Sequence, residues 1–219
     1  MNGVTAPIVP DDEAGRAAAV AILQGGGVVA LPTDTVYGIC VALDTPGGVE
    51  RLFEVKRRPP DKGIMLLLER LEQAAGIGVM NAAAEALAEA CWPGGLTVVV
   101  ARRPDRPLPD ALTGGAPTIG LRVPNHPAPR ALAGGVGPMP TTSANVSGLP
   151  EGGDASEIQE QLGDAIDLIL DGGPTHGGPA STVVDCTGPT PRVLRVGAVP
   201  LDRVATILDA AGVRHELRG

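Results

Sequence analysis

The sequence predicts an α/β fold, and three observations carry that reading. Short apolar runs rich in Val, Ile and Leu, too brief for helices, recur through the 219 residues, each bounded by Gly, Pro or Asp. Alanine-rich or amphipathic stretches with helical spacing lie between them, so strands and helices alternate. No low-complexity linker divides the chain, so the expectation is one domain over residues 1–219, with a core over residues 12–210 and short tails at both ends.

Asp11 or Asp12 can cap a helix whose body, Ala14 to Leu23, stops at Gly25-Gly26-Gly27. That glycine triplet precedes a strand and lacks the G-x-x-x-x-G-K-[ST] pattern of a phosphate loop, so it reads as a helix stop. Strand Val28–Leu31 runs into the polar stretch Pro32-Thr33-Asp34-Thr35-Val36-Tyr37-Gly38, and a second strand is expected within Val36–Leu43. Val49, Leu52, Phe53 and Val55 have helical spacing and deliver Lys56, Arg57 and Arg58 at the helix C-terminus, where cations suit the dipole. Pro59-Pro60 ends that helix, and Asp61-Lys62-Gly63 turns the chain into strand Ile64–Leu68.

Asn81 is positioned to cap a helix through Ala90; Trp92-Pro93-Gly94-Gly95 then turns into strand Leu96–Ala101, with Trp92 read as a core plug. Residues 102–116 form the longest irregular connection. Alternation through Thr118–Pro124 places Thr118, Gly120 and Arg122 on one strand face and Ile119, Leu121 and Val123 on the other. Arg122 suits either a ligand carboxylate or an edge-strand salt bridge. A short helix over Pro127–Leu132 begins beside His126, a cap or turn residue. The hydroxyl-rich run Thr141 to Ser147 follows; then come a helix near Ser156–Leu162, strands Ile166–Leu170, Ser181–Cys186 and Val193–Val196, and a last helix, Leu201–Ala210.

Composition excludes several function classes. A formal charge of −8 with one Phe, one Tyr and one Trp gives neither a general basic face nor a platform for stacked bases. Cys40, Cys91 and Cys186 are distant and odd in number, which suggests neither a disulfide framework nor a zinc site. His126, His176 and His215 form no metal or triad pattern, so histidine-based catalysis is not expected. With no signal-like N-terminus and no 18-residue apolar span, the expectation is a cytoplasmic protein with no membrane partner.

In an α/β protein, loops at one end of the sheet converge on ligands. Here such loops offer the cations Lys56, Arg58 and Lys62, then Thr118 and Arg122, then the hydroxyl cluster around Thr141 and Ser143, with Ser181 and Arg195 later. That set suits an anion together with a polar substrate.

Six ordered stretches make the reading specific: Pro32-Thr-Asp-Thr-Val-Tyr-Gly38, Lys56-x-Arg58-Pro59, Trp92-Pro-Gly-Gly-Leu-Thr97, Leu121-Arg-Val-Pro124, Ser143-Ala-Asn145 and Ser181-Thr-Val-Val-Asp185. Together they resemble the YrdC-like threonylcarbamoyl-AMP synthase family, short form, over nearly the whole chain. The resemblance implies a twisted, largely open mixed sheet flanked by helices with a deep concave groove. It also implies a nucleotidyltransferase that converts L-threonine, bicarbonate and ATP, with Mg²⁺, to threonylcarbamoyl-adenylate and pyrophosphate for t6A modification of tRNA. The family's K-x-R and S-x-N signature falls on Lys56, Arg58, Ser143 and Asn145 as catalytic residues. Its ATP contacts fall on Arg58, Lys62, Thr118, Ser143 and Arg195, and its threonine contacts on Thr35, Arg122, Thr141 and Ser181.

The resemblance has departures. Lys62-Gly63-Ile64 and Leu67 stand where many members have Asn-Pro-Leu and a histidine, Asp34 replaces a usual Glu, and Glu151 replaces a phosphate-contacting serine. The chain is also expected to lack the C-terminal domain of longer members. A downstream threonylcarbamoyl transferase is the expected partner, and double-stranded RNA or tRNA is a further one. The alternative functions are a relative forming a carbamoyl-adenylate with another acceptor, and an RNA-binding paralogue.

Overall fold

A computed structural model describes residues 5–59, 62–175 and 178–217. Pro60 and Asp61 of the expected turn, and His176, lie outside the described residues. The elements follow the alternation of the sequence. Strand β1 (Ile8–Pro10) precedes helix α1 (Glu13–Gln24), whose first turn is capped by Asp12 accepting from the Gly15 amide at 2.8 Å. Then come β2 (Val29–Leu31), β3 (Gly38–Cys40), α2 (Gly48–Lys56), β4 (Met65–Leu67), a 3₁₀ turn over Leu71–Gly76 and β5 (Gly78–Val79). Helix α3 (Ala82–Cys91) is capped by Asn81 and leads to β6 (Leu96–Arg102).

The connection expected to be irregular holds a single helical turn, α4 (Asp110–Thr113), before β7 (Thr118–Arg122). Helix α5 (Pro127–Val136) starts at His126, whose ring nitrogen accepts from the Ala128 amide, and it runs four residues beyond the expected Leu132. Pro at its first position suits a helix start because the missing N–H has no intrahelical partner there. Strand β8 (Met139–Ser143), α6 (Ala155–Leu162), β9 (Leu168–Asp171), β10 (Thr182–Asp185), β11 (Arg192–Arg195) and α7 (Leu201–Ala210) complete the order.

Among the described residues the strands form one mixed sheet of eleven, ordered β1-β9-β2-β3-β8-β4-β7-β6-β10-β11, with β5 paired to β6. Parallel pairs (β1 with β9, β2 with β9, β4 with β7, β6 with β10) interleave with antiparallel ones (β2 with β3, β3 with β8, β8 with β4, β7 with β6). Alternate residues of β2 serve two cores: Ala30 joins the larger cluster, whereas Val29 and Leu31 pack with Ala19 and Leu23 of α1 and Leu132 of α5. Strands buried on both faces read as continuous apolar runs, which is why Val28–Leu31 shows no polar alternation. The core is built from Ala, Val, Leu and Ile, as three aromatics require; Trp92 packs against it and donates its indole N–H to the Leu96 carbonyl at 2.7 Å. Among the described residues, no helix is long and apolar enough to cross a membrane.

Candidate active site

The centre of the sheet carries polar side chains where a core strand would carry apolar ones. Thr97 and Val99 of β6, Thr118, Gly120 and Arg122 of β7, and Thr141 and Ser143 of β8 line a cavity of about 450 Å³, joined by Met65, Thr35, Arg58, Ser181 and Arg195. That volume lies within the range of small-ligand sites. Strands far apart in sequence but adjacent in the sheet bring these residues together: β7 pairs with both β4 and β6, and β6 with β10. Gly120 keeps the floor low, since a Cβ there would lie 3.2 Å from the Met65 Cβ and 3.3 Å from the Thr97 methyl.

Eight of the residues singled out in the sequence line this cavity: Thr35, Arg58, Thr118, Arg122, Thr141, Ser143, Ser181 and Arg195. Lys56 and Asn145 lie beneath its wall. Lys56 is 2% exposed, and its ammonium donates to the Ser143 carbonyl at 2.6 Å, to Asn145 Oδ1 at 2.8 Å and to Ser143 Oγ at 3.3 Å. Three donors meet three acceptors, so the lysine supports the loop that presents Ser143. Burial pushes its pKa down to about 8; the nearby Arg58 charge acts in the same direction and Glu151 opposes it. Asn145 completes the strut by donating to the Leu149 carbonyl at 2.7 Å. The Lys62 side chain is not among the lining groups; its backbone carbonyl accepts from Arg58 Nε at 2.9 Å, and Gly63 O accepts from Arg58 Nη2 at 2.8 Å. These two bonds hold the Arg58 guanidinium in place.

Arg122 lies on an interior strand, not an edge, and is 2% exposed. It donates to the Gly94 carbonyl at 3.0 Å, to Thr35 Oγ1 at 3.1 Å and to Asp34 Oδ1 at 2.6 Å. The sequence left open a ligand carboxylate or a salt bridge, and the salt bridge is present. Burial pulls the Arg122 pKa down, and the Asp34 carboxylate opposes that shift.

Sequence reasoning missed Met65, Thr97 and the α4 segment, all of which line the cavity. Thr97 is 3% exposed and lies 2.8 Å from Ser181 through their hydroxyls. Leu112, Thr113 and Ala116 join Ile64 in an apolar corner of the cavity. Thr97 ends one of the six ordered stretches, so its signal was present; α4, a four-residue turn among prolines, gave none.

A family model named for Sua5, YciO and YrdC, with the description "Telomere recombination", matches residues 21–197. This chain belongs to the Sua5/YciO/YrdC family. A Mycobacterium leprae relative is 40% identical over 210 residues, covering 95% of this chain and 94% of the relative. A Bacillus subtilis relative named threonylcarbamoyl-AMP synthase is 34% identical over 194 residues, covering 88% of this chain and 56% of its own. The crystal structure of Pyrococcus abyssi Sua5 complexed with L-threonine superposes with a TM-score of 0.86 at 33% identity, over 97% of this chain and 62% of that one. The chain therefore spans rather more than half the length of the B. subtilis and P. abyssi proteins. The mixed sheet flanked by helices is the family fold.

Proposed function

We propose that this Sua5/YciO/YrdC member is an L-threonylcarbamoyladenylate synthase, which turns L-threonine, bicarbonate and ATP into threonylcarbamoyl-AMP, pyrophosphate and water. The product would serve t6A modification of tRNA through a separate transferase. The observation that carries this reading is the single cavity in which the cations Arg58 and Arg195 and the hydroxyls Thr35, Thr118, Thr141, Ser143 and Ser181 converge from six segments.

The chemistry demands such a set. Adenylyl transfer builds negative charge on the phosphates and the leaving pyrophosphate, and fixed donors stabilise it without a histidine. Arg58, braced by two carbonyls, takes that role, with Thr118 and Arg195 beside it, while Ser143, which accepts from Lys56 and donates to Asn145 Oδ1, is held at the same wall. Lys62, four residues beyond Arg58 in the sequence, adds positive charge near the phosphates. The apolar corner of Ile64, Leu112 and Ala116 offers a place for the base. Arg122, Thr35, Thr141 and Ser181 serve the amino acid, the arginine through its N–H groups beyond those given to Gly94, Thr35 and Asp34.

No group of three or more metal-ligating side chains exists among the described residues, and Glu151 is the one carboxylate among the lining residues. That donor set fits Mg²⁺ held chiefly by the nucleotide's phosphates with one protein carboxylate, where it would neutralise phosphate charge.

The deciding experiment measures pyrophosphate release with ATP and Mg²⁺, with and without L-threonine and bicarbonate, beside Arg58→Ala. Release that needs both co-substrates and disappears in the variant is expected. Release independent of threonine, from folded protein that binds ATP, would refute the synthase and favour a carbamoyl-adenylate with another acceptor.

A further inference from the structure

The segment that carries Glu151 into the cavity is pinned on both sides of that residue. Before it, the Leu149 carbonyl accepts from Asn145 Nδ2 at 2.7 Å and the Pro150 carbonyl from Gln161 Nε2 at 3.2 Å. After it, the Gly153 carbonyl accepts from the Thr175 amide at 2.8 Å and from Thr175 Oγ1 at 3.1 Å, and the Gly153 amide donates to Glu157 Oε2 at 2.7 Å. Gly152 is buried and has no room for a side chain, since a Cβ there would lie 2.5 Å from Ile158 Cδ1.

Both anchors lead back to Tyr37, which is 0% exposed. Its carbonyl accepts from the Ala144 amide at 2.8 Å, which fixes the turn between Ser143 and Asn145 and so the side chain that grips Leu149. Its phenol accepts from the Gly172 amide at 3.1 Å and donates to the Gly173 carbonyl at 2.8 Å, which fixes the turn that presents Thr175 to Gly153. Gly173, with φ of 80°, also gives its amide to Asp171 Oδ1 at 2.8 Å. The phenol is not among the groups lining the cavity, so it acts through this turn and not on a ligand.

We propose that Tyr37 and Thr175 are positioning residues that hold the Glu151 carboxylate at the cavity to receive a magnesium-bound nucleotide. The proposal rests on the synthase reading for its nucleotide and its metal. A fixed carboxylate favours a polyphosphate whose charge is offset by a cation and repels the same polyphosphate without one. A carboxylate free to turn toward water does neither. The brace therefore sets a preference between two forms of one ligand, and loosening it erodes that preference.

The test is calorimetric titration of MgATP, and of ATP in EDTA, into the wild type, Tyr37→Phe, Thr175→Val, Thr175→Ser and Glu151→Gln, and into Tyr37→Phe and Thr175→Val each combined with Glu151→Gln. Tyr37→Phe keeps the buried ring and releases the Gly172–Gly173 turn. It is expected to weaken MgATP about fivefold without weakening metal-free ATP, and to change MgATP affinity little in the Glu151→Gln background. Thr175→Val removes one of the two bonds to the Gly153 carbonyl and is expected to cost about threefold in MgATP, again only where Glu151 is present, with Thr175→Ser recovering most of the loss. The Thr175 variants carry the test if Tyr37→Phe does not fold. Undiminished MgATP affinity in Tyr37→Phe, or in Thr175→Val where that variant carries the test, would overturn the brace. Equal losses with and without Glu151 would assign the two residues to the fold at large and overturn it as well. MgATP affinity that does not change in Glu151→Gln would remove the carboxylate from the metal's surroundings and the proposal with it. A brace that passes these titrations, in protein whose pyrophosphate release ignores threonine, would instead refute the synthase reading alone.

Discussion

Replacing Lys56 by Met keeps an unbranched side chain of similar length and removes the ammonium. The Ser143 carbonyl and Asn145 Oδ1 then lose donors at 2.6 and 2.8 Å. Each acceptor keeps a second donor, the Asn145 amide on the Ser143 carbonyl at 3.1 Å and the Ser143 hydroxyl on Asn145 Oδ1 at 2.7 Å, so the loss at pH 7 is that of a charge-assisted hydrogen bond, about 1.5–3 kcal/mol. The pH dependence separates this account from simple packing. The native pKa of Lys56 is about 8, against 10.5 for an unperturbed lysine. Between those values the unfolded chain holds a proton that the native state has released, so this group's contribution to stability rises with pH. Over the whole window the rise reaches about 3 kcal/mol at about 1.36 kcal/mol per pH unit. Urea unfolding of wild type and Lys56→Met at pH 7, 8, 9 and 10 measures the gap directly, and subtraction removes the alkaline titration of tyrosine and cysteine common to both. The gap should widen from pH 8 upward. A constant or narrowing gap would refute the reasoning, because it would mean that the three acceptors hold the proton more strongly than burial expels it.

Other outcomes follow from single contacts. Asp34→Asn leaves the buried Arg122 charge uncompensated and should cost about 3–5 kcal/mol in urea unfolding, the range for breaking a buried pair. Glu151→Gln should weaken MgATP binding while strengthening binding of metal-free ATP; titrations at several Mg²⁺ concentrations check this crossing, and parallel strengthening would remove Glu151 from the metal's surroundings. Gly197→Ala would set a Cβ 2.0 Å from the Ala180 carbonyl oxygen and 2.7 Å from the Ser181 carbonyl carbon, both backbone atoms. A lower melting temperature is expected, together with weaker threonine binding through displacement of Ser181.

Much of this site was legible because polar residues interrupted apolar runs at strand ends. Thr35, Arg122, Ser143 and Ser181 were each marked by a hydroxyl or cation where a core strand would continue. The alternation Thr118, Gly120, Arg122 placed one strand face correctly in the cavity. Direction was not legible. The Lys56-x-Arg58 spacing names two cations, but the turn at Arg57, with φ of 50°, sends Lys56 inward to Ser143 and Asn145 while Arg58 lines the cavity. Nor does the sequence give the partner of Arg122, because Asp34 lies 88 residues away and meets it only through the packing of the β2–β3 loop against the β7 end. The two-residue strand β5 and three-residue strand β1 escaped notice because neither is long enough to display a period. Thr97 was passed over because hydroxyls in strands are common, and only the 2.8 Å distance shows that it meets Ser181.

The strand order has a consequence for how the protein comes to be active. The cavity draws on Thr35 near the start of the chain and Arg195 near its end, and the strand carrying Thr97 is joined on its two sides by β7 and β10. No contiguous half of the sequence contains the whole site. A nascent chain therefore lacks the complete cavity until the last strands have docked. Contacts so distant in sequence make folding slow relative to a chain of local contacts. They would also join ligand affinity to global stability: a ligand filling this cavity would touch both ends of the chain and oppose unfolding between them, so a saturating ligand should slow degradation of the entire sheet.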